Sequence, residues 1–206
     1  QDTDTIKDTK NQTEEVLPES LYKSNNIVFL VDISNSMRQN NKIGKLKRSM
    51  HKLTDALREH DKVTLVAYNY KAYDVLEAVP GNRHTQIKTA IDSLEPSGLT
   101  DGLKGLERAF EYARKHFITE GNNQLILATD GEFTSAHLSE QDITNLVEEN
   151  AKQGIVVSII GFGDMKEAIQ RLKKLATTGN GSYLQINNES EQPQLLLEEI
   201  KTRSRK

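Results

Sequence analysis

No cysteine and no tryptophan occur in the chain. Without thiols there is no disulfide, no thiolate metal site and no Cys nucleophile. Aromatic residues make up only 5% of the sequence, too few for the stacking platforms that hold single-stranded nucleic acid. A basic surplus is missing too. The 27 Lys and Arg stand against 30 Asp and Glu, a net charge of −3, so the footprint of a DNA- or RNA-binding surface is not there. No apolar run approaches the roughly 18 residues that span a bilayer. The five histidines (His51, His60, His84, His116, His137) have no metal-ligand spacing, and none is placed as a general base.

What is present is a core's worth of apolar residues, 35% of the 206, on a chain that is 28% charged. That suits one globular domain. Residues 1–22 read as a polar leader or linker, and 23–206 as the domain. Within the leader, only Val16–Tyr22 has residues to pack on the domain.

From residue 27 the pattern changes. Ile27–Val31 is a continuous, β-branched run ending at Asp32, the pattern of a strand buried on both faces of a parallel sheet. Val63–Tyr68, Gln124–Thr129, Ile155–Phe162 and Gly181–Ile186 read as further strands. Ala72–Val79 follows the second strand after a short turn, Asn69–Lys71. That is too short for a parallel crossover, so this strand is predicted as an antiparallel edge. Helical periodicity appears at Ile43–Leu57, Ile87–Leu94, Leu103–Phe117, Lys166–Ala176 and Gln192–Thr202. Another helix opens at Ser139, with Asp142 as its capping-box partner. The expected fold is α/β: a doubly wound, mostly parallel six-stranded sheet with helices on both faces.

In such sheets ligands sit at the carboxyl ends of the strands. The loops found there are rich in short oxygen side chains. Asp32, Ser34 and Ser36 alternate on the turn after the first strand. Thr100 lies in Gly98-Leu99-Thr100-Asp101-Gly102, and Asp130 follows the fourth strand. Oxygen-only ligation selects a hard cation, Mg²⁺ first and then Mn²⁺ or Ca²⁺. Two carboxylates just neutralise a divalent ion, and the neutral hydroxyls leave it a strong Lewis acid. An open position would then favour an incoming carboxylate. The plain alternative for Asp-x-Ser-x-Ser is a turn whose hydroxyls cap backbone groups. Asp101 reads as a helix cap, and Glu132 and Phe133 as solvated rim residues. Gly161-Phe162-Gly163 lacks the third glycine of a dinucleotide loop and reads as a turn.

Asp32-x-Ser34-x-Ser36, Thr100 and Asp130 together resemble the metal-ion-dependent adhesion site of von Willebrand factor A domains and integrin inserted domains. All five positions are matched in order, and the resemblance covers about Asn25 to Thr202. LVDISNSM, GLTDGL and ILATDGEF look most like the bacterial members. The resemblance implies the Rossmann-like sheet order 3-2-1-4-5-6 and Mg²⁺ held by Asp32, Ser34, Ser36, Thr100 and Asp130. It also implies that Thr100 and Asp130 exchange between direct and water-mediated contact as a ligand arrives. Asn35 departs from it, standing where many members have Gly.

The function expected is a non-enzymatic, metal-dependent protein-binding module, monomeric in isolation, whose cation takes an Asp or Glu carboxylate of a partner protein. Two alternatives stand beside it. One is a structural domain whose metal only ties the loops together. The other is a Mg²⁺-dependent phosphohydrolase with Asp32 as nucleophile. For that chemistry Ser34 stands where a second carboxylate is wanted, and the sequence offers no convincing Lys partner. Neither serine lies in a Gly-x-Ser-x-Gly elbow. The polar leader, a first residue Gln1 rather than Met, the missing cysteines and the adhesion-type resemblance point to an exported or membrane-tethered bacterial protein.

Overall fold

A computed structural model describes residues 16–131, 139–186 and 192–206. Six strands form one sheet: β1 (Asn25–Asp32), β2 (Lys62–Tyr68), β3 (Ala72–Pro80), β4 (Asn122–Thr129), β5 (Ile155–Gly161) and β6 (Asn180–Gln185). Their order is β3-β2-β1-β4-β5-β6. All neighbours are parallel except β2 and β3, so the edge strand is antiparallel as its three-residue connection requires. The helices are α1 (Lys42–Ala56), α2 (His84–Asp92), α3 (Leu103–Lys115), α4 (Glu140–Lys152), α5 (Lys166–Thr178) and α6 (Gln192–Ser204). A 3₁₀ segment, Asn35–Asn41, precedes α1. Among the described residues no helix is long and apolar enough to cross a membrane.

The unbroken apolar run of β1 follows from its central place. Alternate side chains leave a strand on opposite faces. Ile27, Phe29 and Val31 pack with Leu46, Met50 and Leu53 of α1, Ile87 of α2, and Leu196, Leu197 and Ile200 of α6. Val28 and Leu30 pack with Leu106 and Phe110 of α3, Val147 of α4 and Leu172 of α5. Both faces of the sheet are thus covered, and every position of β1 is buried. Helix α4 starts on the expected capping box: Asp142 N donates to Ser139 Oγ at 3.2 Å, and Ser139 N to Asp142 Oδ2 at 2.9 Å.

Two strands start two residues earlier than the sequence reading has them. Strands β1 and β4 begin at Asn25 and Asn122, two residues before the apolar runs. These asparagines are buried yet hydrogen-bonded. Asn25 N and Nδ2 both donate to Asp61 Oδ1 at 2.8 Å, Asn122 Nδ2 donates to Asn25 Oδ1 at 3.0 Å, and Asn26 Nδ2 to Asn123 Oδ1 at 3.2 Å. Hydrophobic periodicity cannot register a polar pole of this kind. The Val16–Tyr22 segment of the expected leader does pack on the domain. Leu17 is buried in the α1 core cluster, Leu17 N donates to Ala56 O, and Tyr22 forms an antiparallel bridge with Arg205. Residues 1–15 lie outside the described residues.

From β1 the chain winds to β2 and β3 on one side; β4, β5 and β6 lie on the other. The switch point lies between the carboxyl ends of β1 and β4, where an open α/β sheet forms its ligand crevice.

Candidate metal centre

Asp32 is the last residue of β1 and is fully buried. Its Oδ1 accepts a hydrogen bond from Ser34 N at 2.8 Å, which folds the turn back on the carboxylate. Its Oδ2 accepts from Thr129 Oγ1 at 3.2 Å and, more weakly, from Tyr68 OH at 3.4 Å. The turn brings Ser34 Oγ and Ser36 Oγ within 3.0 Å of each other. Asp130 follows β4, whose register beside β1 carries it to the same crevice. Its charge is felt at Asp32.

Thr100 is half-buried on the third loop. The backbone around it is stitched to the first loop: Ser97 N donates to Ile33 O at 2.6 Å and Asn35 N to Gly98 O at 3.0 Å. Asp101 N donates to Asn69 O at 2.7 Å, and Asn69 Nδ2 to Ser97 O at 2.9 Å. Among the described residues the Thr100 hydroxyl makes no hydrogen bond to the other four side chains. Gly98 has φ +76°, and a Cβ there would lie 3.1 Å from the Tyr70 ring. This turn thus requires its glycine. Asp101 precedes Gly102, the N-cap of α3, and its Oδ1 accepts from Leu103 N at 3.3 Å.

Electrostatics sets this end of the sheet apart. Three carboxylates are buried among the described residues: Asp32, Asp61 and Glu199. Asp61 is closed by Arg58, whose Nε and Nη2 donate to its two oxygens at 3.0 and 2.9 Å. Glu199 accepts from Arg203 Nε at 3.0 Å. Asp32 has only neutral donors. Burial lifts its carboxyl above the usual carboxylate range, Ser34 pulls it back in part, and the Asp130 charge lifts it further. Burial also pushes the Tyr68 phenol well up, as does the charge of Asp32, so Tyr68 stays a neutral donor. Burying an uncompensated charge is costly. Asp32, Ser34 and Ser36 on one loop, with Asp130 after β4 and Thr100 on the adjoining loop, are a donor set without a guanidinium that would suit a hard divalent cation.

Three positioning features escaped the sequence reading. Thr129 and Tyr68 reach Asp32 from neighbouring strands; both sit in apolar-looking runs that offered no signal. Gly163, expected as a simple turn residue, lies against Asp130, and a Cβ there would come within 2.2 Å of the Asp130 carbonyl oxygen. The third concerns the missing lysine. Lys42 Nζ donates to Asp130 Oδ2 at 2.8 Å, so a Lys does enter the site. The histidines lie elsewhere: His84 faces Leu57 O and His116 faces Glu77, while His137, Glu132 and Phe133 fall outside the described residues. Among the described residues no three His, Asp or Glu side chains cluster around one point. The five candidate residues offer two carboxylates and three hydroxyls.

Residues 26–202 match the family model of the von Willebrand factor type A domain. The uncharacterized protein YfbK of Escherichia coli (strain K12) is 33% identical over 192 residues, covering 93% of this chain and 32% of that protein. The chain therefore spans about a third of that relative's length. Among solved structures, BatB from Bacteroides thetaiotaomicron superposes with a TM-score of 0.72 at 20% identity, over 87% of this chain and 98% of that one. Proximal thread matrix protein 1 from the mussel byssus, with zinc in its metal-ion-dependent adhesion site, gives 0.69 at 22% identity, over 90% and 47% of the two chains. At these identities the structural likeness speaks for the fold alone.

Proposed function

This chain belongs to the von Willebrand factor type A domain family, a family of protein–protein adhesion and metal-site binding, and from that premise we propose that it is a metal-dependent protein-binding module. Asp32, Ser34, Ser36, Thr100 and Asp130 would hold one divalent cation, Mg²⁺ with Mn²⁺ as its close substitute. When bound, the cation supplies a Lewis-acidic position for a carboxylate of a partner protein. The observation that carries this reading is the contrast among buried carboxylates. Asp61 and Glu199 come with their own Arg, whereas Asp32 lies at the switch point with neutral donors alone.

The rim supports a protein partner. Leu99 is 80% exposed beside Thr100, and Tyr70 is 53% exposed against Gly98. An acidic side chain entering the site would lay its apolar neighbours on this pair. The exported or membrane-tethered setting belongs to the same proposal. A phosphohydrolase gains a Lys from the structure but still lacks the second carboxylate, because Ser34 occupies that place.

The test is thermal unfolding with Mg²⁺, Mn²⁺ or EDTA, followed by acetate as a minimal carboxylate. A cation at 100 times its Kd adds about 2.7 kcal/mol to the folded state, a rise of roughly 5–10 °C for a domain of this size. Acetate should raise the midpoint further only when metal is present. A midpoint insensitive to all three additions would remove the reading. Structural tying alone would show a metal response with no acetate effect.

Gly163 offers a sharper check on the support of Asp130. In Gly163→Ala the new Cβ must displace the Asp130 backbone. Mn²⁺ affinity should fall about tenfold, the scale of losing an outer-shell support. Calorimetric titration reads this directly; unchanged affinity would show that the loop yields without cost.

A further inference from the structure

We propose that Lys42 tunes the metal site through Asp130, weakening the hold on the cation and strengthening the cation's hold on a partner carboxylate. The inference rests on the metal reading above and adds a residue to it. Lys42 is the first residue of α1, and its ammonium lies 2.8 Å from Asp130 Oδ2. Both side chains are largely covered, at 14% and 7% exposure, so solvent screens this pair less than a surface ion pair.

The backbone before Lys42 is built to deliver it. Asn40 and Asn41 are both left-handed, with φ of 50° and 53°, a conformation that asparagine tolerates better than most residues. Gln39 and Asn40 break the 3₁₀ segment, and Asn41 is the N-cap from which α1 starts with Lys42. Gly44 leaves room for the Asn41 side chain, since a Cβ there would lie 2.2 Å from Asn41 Oδ1.

The consequence follows from charge. Asp32 and Asp130 carry two negative charges, and a divalent cation would neutralise both. With the Lys42 ammonium on Asp130 as well, the loaded site carries one net positive charge. That charge repels the metal and attracts an anionic ligand, so its removal must move the two affinities in opposite directions. A residue that only braces the loop would move both the same way.

The experiment uses the whole chain and two probes, Mn²⁺ and then acetate on the Mn²⁺-saturated protein, each by calorimetric titration. Lys42→Met keeps the apolar stem and removes the charge. It should bind Mn²⁺ about three- to tenfold more tightly, the scale expected for one partly screened charge, and bind acetate correspondingly more weakly. Lys42→Arg should stay near the wild type in both. Lys71→Met removes an exposed cation that lies over the Tyr70 ring, and should change either affinity by less than about twofold. If wild type binds Mn²⁺ but Lys42→Met leaves both affinities unchanged, or shifts them in the same direction, the Lys42 proposal falls and the metal reading stands. If wild type itself binds no Mn²⁺, both fall.

Discussion

Asp32→Asn loses Mn²⁺ binding by more than about 100-fold, exceeding the 10- to 100-fold that follows loss of a mere outer-shell partner, and remains folded. The isosteric amide keeps an oxygen for Ser34 N, and so preserves the turn that gathers Ser34 and Ser36. It removes a negative charge whose hydrogen-bond donors are all neutral. Metal-free Asp32→Asn should therefore be no less stable than the metal-free wild type near neutral pH. The sign follows from the raised carboxyl of Asp32. Above the unfolded-state value the folded chain holds its proton longer than the unfolded one, so metal-free stability falls as pH rises through the raised value. In Asp32→Asn that decline should disappear. Metal runs the other way, because the cation needs the ionised carboxylate: wild-type Mn²⁺ affinity should weaken as pH drops through the same range. Parallel melting curves from pH 4 to 8, with and without Mn²⁺, check both statements. Mn²⁺ binding by Asp32→Asn at wild-type strength would exclude Asp32 as a ligand.

The second large effect lies at the other end of the sheet. Asp61→Ala should cost about 3–5 kcal/mol, the penalty for stranding one half of a buried ion pair. Arg58 Nε would lose its acceptor, Arg58 Nη2 would keep only Lys23 O, and Asn25 N and Nδ2 would lose theirs at the start of β1. Against a typical total of about 5–15 kcal/mol, the thermal midpoint should drop by roughly 6–20 °C. The Mn²⁺-induced rise should survive, since the metal loops lie at the opposite pole. Replacing both partners, Arg58→Met with Asp61→Leu, should recover much of the loss. A double variant as unstable as Asp61→Ala would mean that the Asn25 contacts, rather than the stranded guanidinium, carry the penalty.

These two residues also mark what the sequence could and could not reveal. The apolar runs ending at Asp32 and Thr129 were visible because a central parallel strand is buried on both faces. The three-residue link at Asn69–Lys71 dictated an antiparallel edge. Asp32, Ser34, Ser36 and Asp130 could be named as candidates because they end or closely follow a strand run, and Thr100 because it sits in the short loop before α3. Asp61 carried no such signal; between α1 and β2 it looks like any polar turn residue, and only the fold brings Asn25 and Arg58 to it. Lys42 was equally silent. Its role depends on two consecutive left-handed asparagines, and composition cannot distinguish those from a solvated loop. Thr129 and Tyr68 were read correctly as strand residues, yet their hydroxyls meet Asp32 only through registry across three strands.

The bridge between Tyr22 and Arg205 has a mechanical meaning. Lys23 N donates to Ser204 O and Lys206 N to Leu21 O, so entry and exit of the described domain are zipped together at the Asn25 end of β1. The loops of the proposed metal site lie at its Asp32 end, about 25 Å away along eight extended residues. A pull applied through both ends would open this short zipper first, and its load path would bypass the sheet. A pull between a ligand on the metal and either end would instead run lengthwise through β1, the strand gripped by neighbours on both sides.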